Sequence, residues 1–313
     1  MDTATKTGLK LMATLWPSFP HFGRFANDER ISGVRLNSAM MSNPELEKEL
    51  ESIRVMKPEV PLYFDIKGRQ LRVEKVHFNK KFLDITLNHA IKAHTPTVVL
   101  FKAGADSALL EKITEDGRRL IFRGGPEYQV RAGESLHIRH PSLEVLGEVF
   151  TETEKSKIKK VREFGFTRYF LSYVESQKEV DEFLELVGRD SEVQLKIENK
   201  KGLEFVVGKF QKKPNLFLVA ARGDMYVEID KPHKIMDALK LIIGKDPEAC
   251  VGSRIMLSIA RSPVPECHDF LELAWLYDIG YRNMMLCDEI CLKENLLGRA
   301  VGAFDSFRQE YAK

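Results

Sequence analysis

The sequence predicts an α/β protein, a (β/α)8 TIM barrel with a small β-rich domain inserted after the third strand, and three observations lead there. From residue 150 onward strand and helix patterns alternate, which is the rhythm of βαβ units and a parallel sheet. Three further apolar runs precede residue 72 and bring the strand count to eight, the number that closes such a barrel. Between them the chain breaks its rhythm with short β-type runs and turn signals.

Taken in order, the early strands are expected at 9–15, 34–37 and 62–64. The inserted segment carries runs at 82–87, 97–101, 119–122 and 127–130, broken by Gly124-Gly125-Pro126 and Ala132-Gly133-Glu134. Domain boundaries follow: 1–72 for the first part of the barrel, 73–149 for the inserted lid, and 150–313 for the rest of the barrel. A charged amphipathic helix at 151–164 restarts the alternation, followed by a strand at 169–174, a helix at 177–187 and a strand at 193–198. Then come strands at 215–221, 249–256 and 283–286, with helices at 233–243, 267–277 and 294–311.

Composition narrows the function classes. With 43% hydrophobic and 30% charged residues the 313-residue chain reads as a soluble globular protein. Its 48 basic and 46 acidic side chains leave a net charge of +2, which argues against nucleic acid or an anionic membrane as an obligatory partner. No apolar stretch approaches a membrane span and the first residues lack the apolar core of a signal peptide, so a cytoplasmic location is expected. Cys250, Cys267, Cys287 and Cys291 lack metal-ligand spacing and read as reduced thiols. The eight histidines are scattered, with His137 and His140 in the insert, and read as surface or core residues.

The signal for chemistry is polarity at strand ends. In the run 192–199, Gln194, Lys196 and Glu198 alternate with Val193, Leu195 and Ile197, so a lysine and a carboxylate share one face of a strand that should be buried on both. Arg35 and Asn37 share a face of the second strand, and Asp65 shares one with Tyr63 and Lys67 on the third. The sixth strand ends in Arg222-Gly223-Asp224. The C-terminal strand ends of a parallel barrel are where chemistry is built. Arg35, Arg72 and Lys196 with Asp65, Glu198 and Asp224 would thus meet at one mouth, the carboxylates suiting a hard divalent ion and the cations a phosphorylated substrate.

At these residues the chain resembles the pyruvate kinase family. Lys196-Ile197-Glu198-Asn199 matches the family's K-I/V-E-N, and Ala221-Arg222-Gly223-Asp224 with Val227-Glu228-Ile229 resembles A-R-G-D-L-G-x-E-I/V. Ala13-Thr14-Leu15-Trp16-Pro17, Arg35-Leu36-Asn37, Asp65-Ile66-Lys67-Gly68 through Arg72, and Phe170-Leu171-Ser172-Tyr173-Val174 keep the family's order. The resemblance implies that Lys196 stabilises the transferring phosphoryl group and the enolate, with Glu198 and Asp224 holding Mg²⁺ or Mn²⁺. It further implies that Arg35 neutralises phosphate and that the backbone at Arg222, Gly223 and Asp224 meets the substrate. Ser253, where the family has a threonine, would take part in protonating the enolate. Arg72 and Pro17 would lie on the ADP or ATP side, and Asn37 and Asp65 would remain of a monovalent-cation site.

Departures from the pattern are specific. Ala39-Met40 and Ile66 remove oxygen ligands from the monovalent-cation site, which puts K⁺ dependence in question, with Arg69 as a candidate fixed positive charge in its place. Trp16 replaces a glycine and only Pro141 survives of N-L-P-G, both on the nucleotide side. The family's C-terminal effector domain is not expected. The leading expectation is a Mg²⁺-dependent phosphotransferase acting on phosphoenolpyruvate, or a related enol phosphate, and a nucleotide such as ADP. Two alternatives stand beside it: a degenerate relative that binds phosphoenolpyruvate and metal as a sensor or partner protein, and a metal-dependent lyase or aldolase of the same barrel superfamily. Homo-oligomerisation through the late helices is compatible with the sequence.

Overall fold

The computed structural model describes residues 8–40, 43–77 and 82–311. The chain opens with β1 (Lys10–Thr14), a single turn α1 (Phe22–Phe25), β2 (Gly33–Asn37), α2 (Asn43–Met56) and β3 (Leu62–Ile66). It then forms β4 (Val73–His77), β5 (Asp84–Leu87), β6 (Ile91–Lys92), β7 (Thr97–Phe101), β8 (Asp106–Thr114), β9 (Arg119–Arg123), β10 (Leu136–Ile138) and β11 (Glu144–Val145). The alternation resumes with α3 (Glu152–Phe164), β12 (Arg168–Leu171), α4 (Gln177–Val187), β13 (Glu192–Ile197), α5 (Lys200–Gly208), β14 (Leu216–Ala221) and α6 (Arg222–Glu228). It ends with α7 (Ile235–Lys245), β15 (Cys250–Gly252), α8 (Cys267–Asp278), β16 (Asn283–Met285), α9 (Asp288–Cys291) and α10 (Glu294–Glu310).

Eight parallel strands close into a barrel in the order β1, β2, β3, β12, β13, β14, β15, β16, with β16 back against β1. The expected TIM barrel with a β insertion after its third strand is borne out. Strand alternation sorts the side chains: Val193, Leu195 and Ile197 join the outer core under the helices, while Met12, Phe170, Val219, Cys250 and Met285 fill the barrel interior with Tyr63 packed against them. Each polar strand-end residue continues an interior row one step toward the C-terminal mouth, as Ser172 follows Phe170 and Thr14 follows Met12.

Between β3 and α3 a six-stranded antiparallel sheet runs β10-β7-β8-β9-β5-β4, beside a two-stranded ribbon of β6 and β11. It has its own apolar cluster, in which Phe101, Phe122, Leu110 and Ile85 are fully buried. Glu154 ties this segment's entrance to the barrel. It closes a capping box with Thr151 at the start of α3, and it also accepts the backbone N–H groups of Lys67 at 3.1 Å and Gly68 at 2.9 Å.

The structure corrects several local expectations. Residues 127–130 are not a strand: after Gly124-Gly125-Pro126 the backbone N–H of Glu127 bonds Asp106 and Tyr128 Oη donates to Glu134, so side chains take the place of ladder partners. The strand expected over 249–256 stops at Gly252, because Ser253, Arg254 and Met256 adopt positive φ of 67°, 62° and 53°. Helix α5 escaped the sequence reading although Asn199 caps it, its side chain accepting the Gly202 N–H at 2.8 Å. All four cysteines are free. Among the described residues no helix is long and apolar enough to cross a membrane. Of the early departures, the side chain of Met40 lies outside the described residues.

Candidate active site at the barrel mouth

Lys196 and Glu198 project from the end of β13 into the barrel mouth, 6% and 1% exposed. The lysine Nζ donates to Ser172 Oγ at 2.9 Å and stands 2.9 Å from Glu198 Oε1. That second contact has the distance of an ion pair but not the direction of a hydrogen bond, so Glu198 Oε1 is buried without a donor. The other oxygen of Glu198 accepts the backbone N–H of Tyr173 at 2.7 Å. Tyr173 holds a φ of 52°, a conformation unfavourable for its side chain, and this turn aims its N–H at the carboxylate.

Asp65, fully buried, anchors the cations. Its Oδ2 lies 2.7 Å from the Arg35 guanidinium and 2.7 Å from Lys67 Nζ, with Lys196 at 3.9 Å, and its Oδ1 accepts from Ser172 Oγ at 3.2 Å. Burial works against charge on Asp65, but Lys196, Lys67 and Arg35 outweigh it and hold the carboxyl far below its ordinary range. Burial pulls Lys67 well down, with Asp65 opposing.

Asp224, in the first turn of α6, lies beside Glu198. Burial, and after it the Asp224 carboxylate, push Glu198 up to about 7 against the pull of Lys196. Asp224 moves the other way: burial disfavours its charge, but His137, the hydrogen-bonding Glu198, Lys196 and Arg72 hold it below the ordinary range. Two adjacent carboxyl groups, one with a buried oxygen lacking a donor, fit a hard divalent ion that takes its remaining ligands from water and substrate. No closed cage of three or more His, Cys, Asp or Glu side chains occurs among the described residues.

Other residues singled out in the sequence fall into place unevenly. Ser253 reaches the site through its loop, and a Cβ on Gly223 would come within 3.2 Å of its Cβ and 3.3 Å of its Oγ. The Arg222 side chain turns away: it bonds the Ser253 carbonyl at 2.7 Å and pairs with Glu272 of α8, leaving only its backbone at the mouth. Arg72 is held by Gln70 Oε1 at 2.6 Å and by the Gly133 carbonyl, with no carboxylate in ion-pair range among the described residues. Burial lowers its affinity for the proton. Asn37 donates to Asp288 at 3.3 Å.

One expectation is overturned. Arg69 supplies no charge beside Asp65, because its guanidinium is drawn to Glu179 at 3.1 Å and to the carbonyls of Val145 and Gly147. Lys67 takes that place, and its shared face with Asp65 was readable from the alternation. Pro17 is buried, and the side chain facing the cleft there is Trp16. That cleft, about 610 Å³, runs between barrel and insert past Trp16, Phe19, Arg72, Lys102, Glu49 and Asp288.

His137 was not singled out, and it is fully buried at the rim against Glu228, Tyr173 and Asp224. Nothing local marked it, since its partners are remote in sequence.

No protein-family profile matches the chain. It is similar to a pyruvate kinase of Methanocaldococcus jannaschii, 25% identical over 299 residues that cover 90% of this chain and 64% of that protein. It is also similar to a pyruvate kinase of Thermoplasma acidophilum, 24% identical over 289 residues that cover 82% of this chain and 49% of that protein. The resemblance read from the motifs thus extends over most of the chain, which spans 64% and 49% of the lengths of these two relatives.

Proposed function

We propose that the chain is a pyruvate-kinase-like phosphotransferase that moves a phosphoryl group between phosphoenolpyruvate, or a related enol phosphate, and a nucleotide such as ADP. The observation that carries this reading is the placement of Lys196 Nζ, 2.9 Å from both Ser172 Oγ and Glu198 Oε1, on the rim that also bears Asp224. Mg²⁺ or Mn²⁺ held by Glu198 and Asp224 would neutralise charge on the phosphoryl and enolate oxygens.

The protein's own groups do the positioning. Arg35, locked by Asp65, and Lys196, locked by Ser172, meet an incoming phosphate as fixed charges that need no reorganisation. As the phosphoryl group leaves the enol oxygen for the nucleotide, Lys196 faces the oxygen on which negative charge develops. Ser253 Oγ, beside Gly223, takes part in delivering the proton that turns the enolate into the keto acid. Arg72 faces the nucleotide cleft, where it would neutralise phosphate. Lys67 Nζ stands 2.7 Å from Asp65, where an ammonium would take the place of a monovalent cation, so the reading includes turnover without K⁺.

A second reading is favoured by the nucleotide side alone. Trp16 faces the cleft, and Glu49, Glu134 and Asp288 line it alongside the cations Arg72 and Lys102. This supports a relative that binds phosphoenolpyruvate and metal without turnover. A coupled assay with phosphoenolpyruvate, ADP and Mg²⁺, run on the chain and on Lys196→Met, separates the two. Turnover that the substitution abolishes upholds the kinase; ligand-dependent thermal stabilisation without turnover replaces it with the binder.

A further inference from the structure

His137 sits in the middle of β10 between Leu136 and Ile138, both buried in the insert's own core. Strand alternation therefore turns it the other way, out of the insert and onto the barrel. There it meets α6, where Asp224 and Glu228, four residues apart, lie on one face. The imidazole is wedged between them. Its Nδ1 donates to Glu228 Oε1 at 2.6 Å, and its Nε2, buried without a hydrogen-bond partner, stands 3.4 Å from Asp224 Oδ1. Tyr173 completes the contact from the barrel side, its hydroxyl 3.2 Å from Nδ1 and 3.4 Å from Glu228 Oε1. The insert touches α6 and its C-terminal end at two further points: Arg139 donates to the Ile229 carbonyl at 3.1 Å, and the turn 102–104 lies against the helix.

We propose that His137 is a positioning residue through which docking of the insert on α6 sets the orientation of Asp224, the carboxylate that faces Glu198. The insert therefore does more than cover the mouth: beside Gln70, whose Nε2 donates to Asp224 Oδ2 at 3.3 Å from the barrel side, it supplies a second side chain that holds Asp224 in place. Docking and divalent-ion binding are then coupled, and the coupling is reciprocal, each favouring the other by the same factor. The docking itself stands on the contacts above, while its consequence for the ion rests on the functional reading of Glu198 and Asp224.

The test uses the full chain with Mn²⁺ as probe. Amide hydrogen exchange of β10 and α6 is measured with and without Mn²⁺, together with the Mn²⁺ dissociation constant, for the unsubstituted chain, His137→Leu and His137→Gln. The expected result is that Mn²⁺ slows exchange in β10 of the unsubstituted chain. In His137→Leu, exchange of β10 and α6 rises without metal and Mn²⁺ affinity falls about tenfold, within the usual range for coupled sites. His137→Gln, which keeps a donor for Glu228, recovers part of both, and exchange of β13 stays the same in all three, which separates positioning from loss of the fold. Unchanged exchange of β10 and α6 in folded His137→Leu overturns the proposal. So does faster exchange with an unchanged Mn²⁺ dissociation constant. If the unsubstituted chain binds no Mn²⁺, the metal reading and the proposed coupling fall together, whereas normal Mn²⁺ binding that ignores His137 sinks the coupling alone.

Discussion

Ser172 joins Lys196 to Asp65: its Oγ accepts from Lys196 Nζ at 2.9 Å and donates to Asp65 Oδ1 at 3.2 Å. One hydroxyl thus spans strands β3, β12 and β13 at the mouth of the barrel and fixes the ammonium on which the proposed chemistry turns. Ser172→Ala removes both bonds and leaves a fully buried carboxylate oxygen without its donor. The expected stability loss is about 2 kcal/mol, read from urea unfolding. Turnover should fall on the order of 10²-fold through misplacement of Lys196, with a smaller change in the KM for phosphoenolpyruvate. An unchanged kcat would remove Ser172 from any positioning role.

Lys67 contributes one of the three positive charges around Asp65. Because Arg35 and Lys196 still face Asp65, Lys67→Met removes one hydrogen bond to a charged group and should destabilise the protein by about 2 kcal/mol. The unsubstituted chain should turn over equally well in Na⁺ and K⁺, and the variant should gain a response to K⁺. A parent enzyme that is inactive until K⁺ is added would contradict the reading.

Glu198 gives the metal-free protein a pH dependence of definite sign. Its proton is held up to about 7 in the folded state, against an ordinary value of 4.5, so between those values the folded chain binds more protons than the unfolded one. The stabilisation from this group is whole below about 4.5 and is lost as the pH rises through about 7. The melting temperature without metal should decline across that window, and Glu198→Gln should flatten the decline. Mn²⁺ affinity should climb over the same range as the competing proton leaves. A decline of equal slope in Glu198→Gln would assign the effect to other groups.

Gly223 packs its backbone against Ser253, whose loop is fixed in a left-handed conformation with φ of 67°. The Cβ of Gly223→Ala would arrive 3.2 Å from the Ser253 Cβ, so one of the two segments must shift by a few tenths of an ångström. Overpacking of this kind costs about 2 kcal/mol, and displacement of the first turn of α6 should raise the KM for phosphoenolpyruvate. Calorimetry and steady-state kinetics on one preparation would test both, and a KM equal to that of the parent would place the substrate away from this turn.

What the sequence revealed and what it hid divide along a physical line. The alternation of Gln194, Lys196 and Glu198 with three apolar residues was readable because a strand's period of two sorts faces without any tertiary knowledge. Asp65 and Lys67 followed from the same rule. His137, Tyr173 and the clasp on α6 were hidden because they arise where two sheets with separate apolar clusters meet, and no local pattern encodes that docking. The outward turn of Arg222 depends on Glu272, which lies on a different helix. The early end of β15 and the absence of a strand over 127–130 reflect loop conformations and side-chain hydrogen bonds that override β-type composition.

Closure of the barrel also has a consequence in time. Lys10 pairs with Asn283, so β1 finds its second neighbour only after β16 has left the ribosome. Until then a nascent chain carries two open parallel edges, on β1 and on the most recent strand, each able to pair with another chain. The last-made strand is the one that seals the sheet, and the interval before its synthesis is when aggregation competes most directly with folding.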